Sequence, residues 1–271
     1  MISYTNTKPF VYGLLHWPSL KQKIEVSFDS PAECARKLTQ NEVDLGIVPV
    51  AALLDIPNYQ IISDYCIGSD GAVNSVFLFS LVPIKDVKLI LLDIQSRTSN
   101  NLTRILCKWF WKITPRFIVQ NPLPISSSQN INLSKSIETK KFFTSTEENK
   151  DMEPCQAYVL IGDRTFSRQN QYPYQYDLGQ EWKKLTGLPF VYAVWAANKN
   201  LNKEFQYEFN QAMAFGLDHR EDVIKEITAS DKSGSQFDYN DYLFHKLNFN
   251  LDSEKKLAMR KFLAYTEELS D

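Results

Sequence analysis

The residues able to do chemistry fall into a few clusters of small polar side chains. They are Thr5-Asn6-Thr7, Ser69-Asp70-Gly71-Ala72-Val73-Asn74-Ser75, Ser96-Arg97-Thr98-Ser99 and Gly162-Asp163. Such clusters follow strands or precede helices. Backbone N–H groups at a helix start are unpaired and sit at the positive end of the dipole, so they bind carboxylate or phosphate. Thr98 and Ser99, just ahead of an apolar-periodic segment, fit that role best. The same residue types are also the ordinary turn and cap formers. Taken singly each cluster reads as a turn, and it is their recurrence at strand ends that marks an anion site.

Other chemistries lack their residues. Cys34, Cys66, Cys107 and Cys155 are scattered, with no C-x-x-C pair, and read as reduced small side chains. His16, His219 and His245 are isolated, with no second ligand at metal spacing. H-E-x-x-H, G-x-S-x-G, a P-loop and G-x-G-x-x-G do not occur, which argues against metal hydrolysis, serine hydrolysis and nucleotide chemistry. The net charge of -2 gives no basic footprint for nucleic acid and no pull toward anionic membranes. No apolar run approaches the roughly 20 residues of a spanning helix. Residues 1–8 lack the basic and apolar regions of a signal peptide. A cytoplasmic protein with no nucleic-acid or membrane partner is expected.

Several elements must position these clusters. Ile2 to Tyr4 is a short strand candidate, Phe10 to Leu15 an apolar segment and Ile24 to Phe28 an alternating strand. Ser30-Pro31-Ala32-Glu33 opens a helix through a capping box with proline at the first helical position, ending near Asn41. Val43 to Val48 is a buried strand, so the strand–helix–strand run predicts a parallel sheet. Val76 to Val82 and Lys88 to Leu92 are further β-type runs. Leu102, Ile105, Leu106, Trp109 and Phe110 lie on one helix face and read as core. Residues 120–150 are polar and poorly periodic. Ala157 to Ile161 and Phe190 to Ala196 are buried strands, and the chain after Asn198 is helical, with Asp252 capping the last helix. This is an α/β layout of two lobes. Residues 1–82 begin lobe 1, 83–192 form lobe 2, and 193–271 return to lobe 1 with the C-terminal helices. Ligands of open sheets bind beyond the carboxyl ends of strands, which is where the polar clusters lie.

Ile2-Ser3-Tyr4-Thr5-Asn6-Thr7-Lys8-Pro9, Ser69-Asp70-Gly71-Ala72-Val73-Asn74-Ser75-Val76, Leu160-Ile161-Gly162-Asp163, Asp177-Leu178-Gly179-Gln180-Glu181-Trp182 and Thr186-Gly187-Leu188-Pro189-Phe190 occur in this order. Together they resemble chorismate dehydratases of the futalosine route to menaquinone. The resemblance implies a type II periplasmic-binding-protein-like fold working in the cytoplasm, with a ligand cleft between the lobes and the helical tail on lobe 1. A sister enzyme of the same fold, acting on cyclic dehypoxanthinyl futalosine, carries a different N-terminal motif that Ser3-Tyr4-Thr5-Asn6-Thr7 does not match.

The implied reaction converts chorismate, a dicarboxylate, to 3-[(1-carboxyvinyl)oxy]benzoate and water, with no metal or redox cofactor, in a monomer or homodimer. Fixed donors would stabilise the developing charge. The resemblance places Asn6 on the reacting ring or its hydroxyl, and Ser75 with the Ser69–Gly71 loop on a carboxylate. Thr98 and Ser99 would hold the other carboxylate, with Tyr4, Thr7, Gly162 and Asp163 also facing the cleft. Asp163 could instead cap or pair with Arg164. For the base, Asp70 is one candidate and a carboxylate of the substrate is the other. Two alternatives to this activity stand: the same cleft binding an acid without chemistry, and the sister enzyme. A DNA-linked effector domain lacks any helix-turn-helix segment.

Overall fold

The computed structural model describes residues 4–120, 156–231 and 237–269. Ile2 and Ser3, Cys155 and nearly all of the 120–150 stretch lie outside these. The expected apolar segment near Phe10 is a helix, α1 (Lys8–His16), entered through a 3-10 turn at Thr5–Thr7 and started by Pro9. Ile24 to Phe28 belongs to no strand, and Phe28 is exposed. Ser30 caps α2 (Pro31–Thr39) as its spacing requires, its Oγ accepting from Glu33 N at 3.3 Å. A cap of this kind is worth about 1 kcal/mol.

Strands β1 (Leu45–Pro49), β2 (Gln60–Ser69), β8 (Phe190–Ala197) and β9 (Asn248–Asn250) form one sheet in the order β1-β8-β2-β9. All its pairings are antiparallel, so the parallel sheet expected from the β–α–β run is not formed there. The strand following α2 pairs with β8, from much later in the chain, instead of with its sequence neighbour. The second sheet is mixed, in the order β5-β4-β6-β3-β7. It contains β3 (Val76–Ser80), β4 (Leu89–Asp93), β5 (Arg116–Gln120), β6 (Ala157–Ile161) and β7 (Tyr174–Asp177). Its parallel pairs are β4 with β5 and β4 with β6.

Each sheet is the centre of one lobe. Membership changes between Ser69 and Val76 and between Asp177 and Phe190, so β3 belongs to lobe 2 and the whole of β8 to lobe 1. Helices α3 (Arg97–Ile105) and α4 (Leu178–Thr186) pack in lobe 2. After Ile105 the apolar face continues, but the helix widens to a π-helical turn over Leu106–Trp111. Helices α5 (Lys203–Asp218), α6 (Arg220–Ser230) and α7 (Ser253–Glu267) form the tail, and Asp252 caps α7 by accepting from Lys255 N at 2.8 Å. No helix among the described residues is long and apolar enough to cross a membrane.

Glycine sets the seating of α1 on α5. A Cβ on Gly13 would lie 2.0 Å from the Ala212 carbonyl oxygen, and one on Gly216 would lie 1.9 Å from that of Pro9. The two helices therefore touch backbone to backbone, and this contact fixes the Thr5–Thr7 turn at the head of α1.

Asp177 ties the two lobe connections together. Its Oδ2 accepts from Val73 N at 2.9 Å and Asn74 N at 2.7 Å, and its Oδ1 accepts from Gln180 N at 3.1 Å, capping α4. Asp177→Ala strands these N–H donors and is expected to cost about 2–4 kcal/mol in chemical denaturation. Burial raises this carboxyl to about 6, from an ordinary 3.8, against the lowering effect of the N–H donors. A raised folded value means that the folded state holds the proton more tightly. The contribution of Asp177 to stability is therefore greatest below about pH 4 and falls as pH rises to about 6. The penalty of Asp177→Ala is thus expected to be larger at pH 4.5 than at pH 7, by on the order of 1 kcal/mol.

Candidate functional site

The lobes meet over a narrow cavity of about 60 Å³ lined by the ends of strands from both sheets. Tyr4, Asn6, Ser75, Thr98, Ser99 and Gly162 all line it, together with Ser96 and Tyr192. Residues that follow β2, β4 and β6 thus meet at one cavity.

Asn6 sits in the turn that leads into α1, and its Oδ1 is buried without a hydrogen-bond partner. Behind the wall the Tyr242 hydroxyl donates to Ser75 Oγ at 2.8 Å. Ser75 is 1% exposed, and its carbonyl accepts from Gly162 N at 2.8 Å. Tyr242 is buried against Phe166 and Phe237, and burial pushes its hydroxyl well above the ordinary tyrosine range. Sequence reading missed Tyr242, which arrives from the C-terminal part of the chain with no motif around it. Its only signal is a polar tip on an otherwise apolar helical segment.

On the opposite wall Ser96 caps α3, its Oγ accepting from Ser99 N at 3.2 Å. The first-turn N–H groups of α3, which a helix cannot pair internally, lie at this wall. Thr98 also lines the cavity, but its hydroxyl is engaged between lobes. It accepts from Ala51 N at 3.2 Å and donates to the Tyr192 carbonyl at 3.4 Å.

Four of the expected site residues have other duties. Asp70 is exposed, stands outside the cavity and pairs with Lys183, so it is not placed to act as the base. Ser69 Oγ donates to the Gly71 carbonyl at 2.9 Å and shares a 3.1 Å bond with the buried Tyr192 hydroxyl. Gly71 has φ +101° and forms the turn, not a ligand loop. Thr7 is buried, and its Oγ1 donates to the Tyr4 carbonyl at 2.9 Å.

Asp163 does not pair with Arg164. Its carboxylate accepts from Thr5 N at 3.0 Å and from Thr5 Oγ1 at 3.0 Å, latching lobe 2 to the head of α1. Burial raises this carboxyl above its ordinary value, against those two bonds. Arg164 instead donates to the buried Asp93 at 2.5 Å, and more weakly to the Tyr4 hydroxyl at 3.4 Å. Gly162, at φ +66°, lies flat under the Tyr4 ring, where a Cβ would come within 2.9 Å of a ring carbon.

The thiols are inert by environment. Cys34, Cys66 and Cys107 are buried and free, and burial pushes Cys66 and Cys107 up to about 12. Among the described residues no group of three or more His, Cys, Asp and Glu is placed to hold a metal ion.

Solved structures with this fold include a protein from Archaeoglobus fulgidus, with TM-score 0.67 and 15% identity, covering 100% of this chain and 96% of that one. The periplasmic aliphatic sulphonate binding protein SsuA of Escherichia coli follows at TM-score 0.53 and 14% identity, covering 99% of this chain and 91% of its own. The alkanesulfonate-binding protein SsuA of Xanthomonas axonopodis, bound to MOPS, gives TM-score 0.53 and 13% identity, covering 98% of this chain and 89% of its own. The fold is thus the two-lobed periplasmic-binding-protein type. A family model described as menaquinone biosynthesis matches residues 1–131 and 125–268. With nearly the whole chain matched on top of this shared architecture, the protein belongs to the menaquinone biosynthesis family.

Proposed function

We propose that the protein is a chorismate dehydratase, converting chorismate to 3-[(1-carboxyvinyl)oxy]benzoate and water. The observation that carries this reading is the chemistry of the cavity wall. Among the described residues its lining combines amide, hydroxyl and backbone donors with apolar surface, and contains no carboxylate, imidazole or amine. Such a wall suits an elimination in which the substrate brings its own charges. Fold neighbours that bind sulphonates point to a small anionic ligand for the same cleft.

In chorismate the C3 hydrogen is vinylogously acidic through the ring diene and carboxylate. Loss of that proton and of the C4 hydroxyl aromatises the ring, and the two leave together as water. Asn6 contacts the departing hydroxyl, and Ser75 donates to a carboxylate. Ser96, Ser99 and the first turn of α3 hold the other carboxylate through neutral donors at a positive helix end. With Asp70 outside the cavity and Asp163 engaged by Thr5, the proton acceptor is a carboxylate of the substrate. The residues then supply alignment and charge stabilisation.

Incubation of the purified protein with chorismate, followed by chromatography, is expected to yield the aromatic product. Cyclic dehypoxanthinyl futalosine offered in parallel is expected to stay unchanged. Chorismate recovered intact while raising the melting temperature would establish binding without chemistry.

A further inference from the structure

The hydroxyl of Tyr242 holds the site residue Ser75 but does not itself line the cavity. A tyrosine hydroxyl has one proton to give. Here it goes to Ser75 Oγ, at 2.8 Å. On the same wall Asn6 Oδ1 is buried without a hydrogen-bond partner among the described residues. Ser75, with a lone pair already occupied by the tyrosine proton, keeps its own O–H for the cavity.

We infer that Tyr242 is a positioning residue that sets the polarity of Ser75, so that Ser75 presents a donor to the ligand. This rests on the dehydratase reading. It adds a direction to that bond: with its oxygen held by the tyrosine proton, Ser75 Oγ–H donates to a substrate oxygen. Without the tyrosine hydroxyl the serine is free to rotate, so its polarity becomes mixed. The phenol ring would still fill its place against Phe166 and Phe237, at 5.3 and 5.4 Å between ring centres.

The test is Tyr242→Phe, with Tyr239→Phe as control. The Tyr239 hydroxyl donates to Asp231 at 2.8 Å, away from the cavity lining. Tyr242→Phe is expected to lower kcat for chorismate by about 10–100-fold with KM changed by less than about threefold, while Tyr239→Phe keeps wild-type values. Placing 4-aminophenylalanine at position 242 restores a donor on the same ring carbon and is expected to recover kcat to within about fivefold of wild type. A folded Tyr242→Phe with wild-type kcat overturns the inference and leaves the dehydratase reading standing. A wild-type protein that leaves chorismate unchanged overturns both. Should Tyr242→Phe lose the near-ultraviolet dichroism of the native fold, the 4-aminophenylalanine variant decides alone. Recovery then supports the assignment, and a folded variant more than about a hundredfold slower than wild type overturns it.

Discussion

Asn6→Ala and Ser75→Ala are each expected to lower chorismate turnover by at least about a hundredfold while leaving the melting temperature within a few degrees of wild type. Removing one preorganised hydrogen-bonding group from a charge-stabilising site costs on the order of 10²–10³ in kcat. Both side chains line the cavity, and neither supports much else. Among the described residues Asn6 Oδ1 bonds nothing, and Ser75 Oγ meets only the Tyr242 hydroxyl. Losing them removes little folding energy, apart from the cost of leaving Tyr242 short of a partner, about 1 kcal/mol. Rates of product formation and thermal melts on the same preparations check this. Near-normal turnover in both variants would remove the pair from the site.

The second large effect is on stability. Gly13→Ala and Gly216→Ala are each expected to destabilise the protein by about 3 kcal/mol or more, a fall in melting temperature on the order of 10 °C. The new methyl group would stand 2.0 Å from a carbonyl oxygen of α5 in the first case and 1.9 Å from one of α1 in the second. Backbone cannot swing aside as a side chain can, so the helices must part by about 1 Å through a close-packed core. Because Asn6 lies in the turn that enters α1, any residual folded protein is also expected to turn over slowly. Gly187 is a useful contrast. It closes α4 at φ +74° with nothing within 4 Å of a Cβ, so Gly187→Ala meets only backbone strain, about 1 kcal/mol. Denaturant titration of the three variants separates the two mechanisms.

Caps and short buried strands were legible in the sequence because local physics decides them. Ser30, Asp252 and the strands Ala157–Ile161 and Phe190–Ala197 stand as their residues predict. Sheet order was not legible. It depends on β8 reaching back between β1 and β2, a long-range choice that no window of sequence contains. Strand β2 was missed altogether, since its polar Ser63, Asp64 and Tyr65 interrupt the apolar pattern near two register shifts.

At the site, the residue types were readable but their division of labour was not. Ser69, Asp70, Thr7 and Asp163 have the same small polar character as Asn6 and Ser75, yet the structure engages them in turns, an ion pair and a latch. The Asp177-Leu178-Gly179…Trp182…Thr186-Gly187-Leu188-Pro189 block is a joint. Asp177 caps α4, Trp182 Nε1 donates to the Pro189 carbonyl at 2.9 Å, and Leu188 N donates to Thr186 Oγ1 at 3.1 Å. A Cβ on Gly179 would come within 2.3 Å of the Tyr192 hydroxyl. These residues hold the crossing between lobes and touch no ligand wall themselves.

The discontinuity of the first sheet also governs how the chain must be made. As the protein leaves the ribosome, β1 and β2 emerge early, with most of their residues apolar and no strand to lie between them. Lobe 2 is built from a contiguous stretch and can complete its sheet before β8 appears. Until β8 is synthesised, two unpaired strand edges stand open to wrong partners, the circumstance in which nascent chains aggregate or recruit chaperones. The site is later still, since Ser75 has no Tyr242 to bond until a residue 167 positions further along the chain has followed.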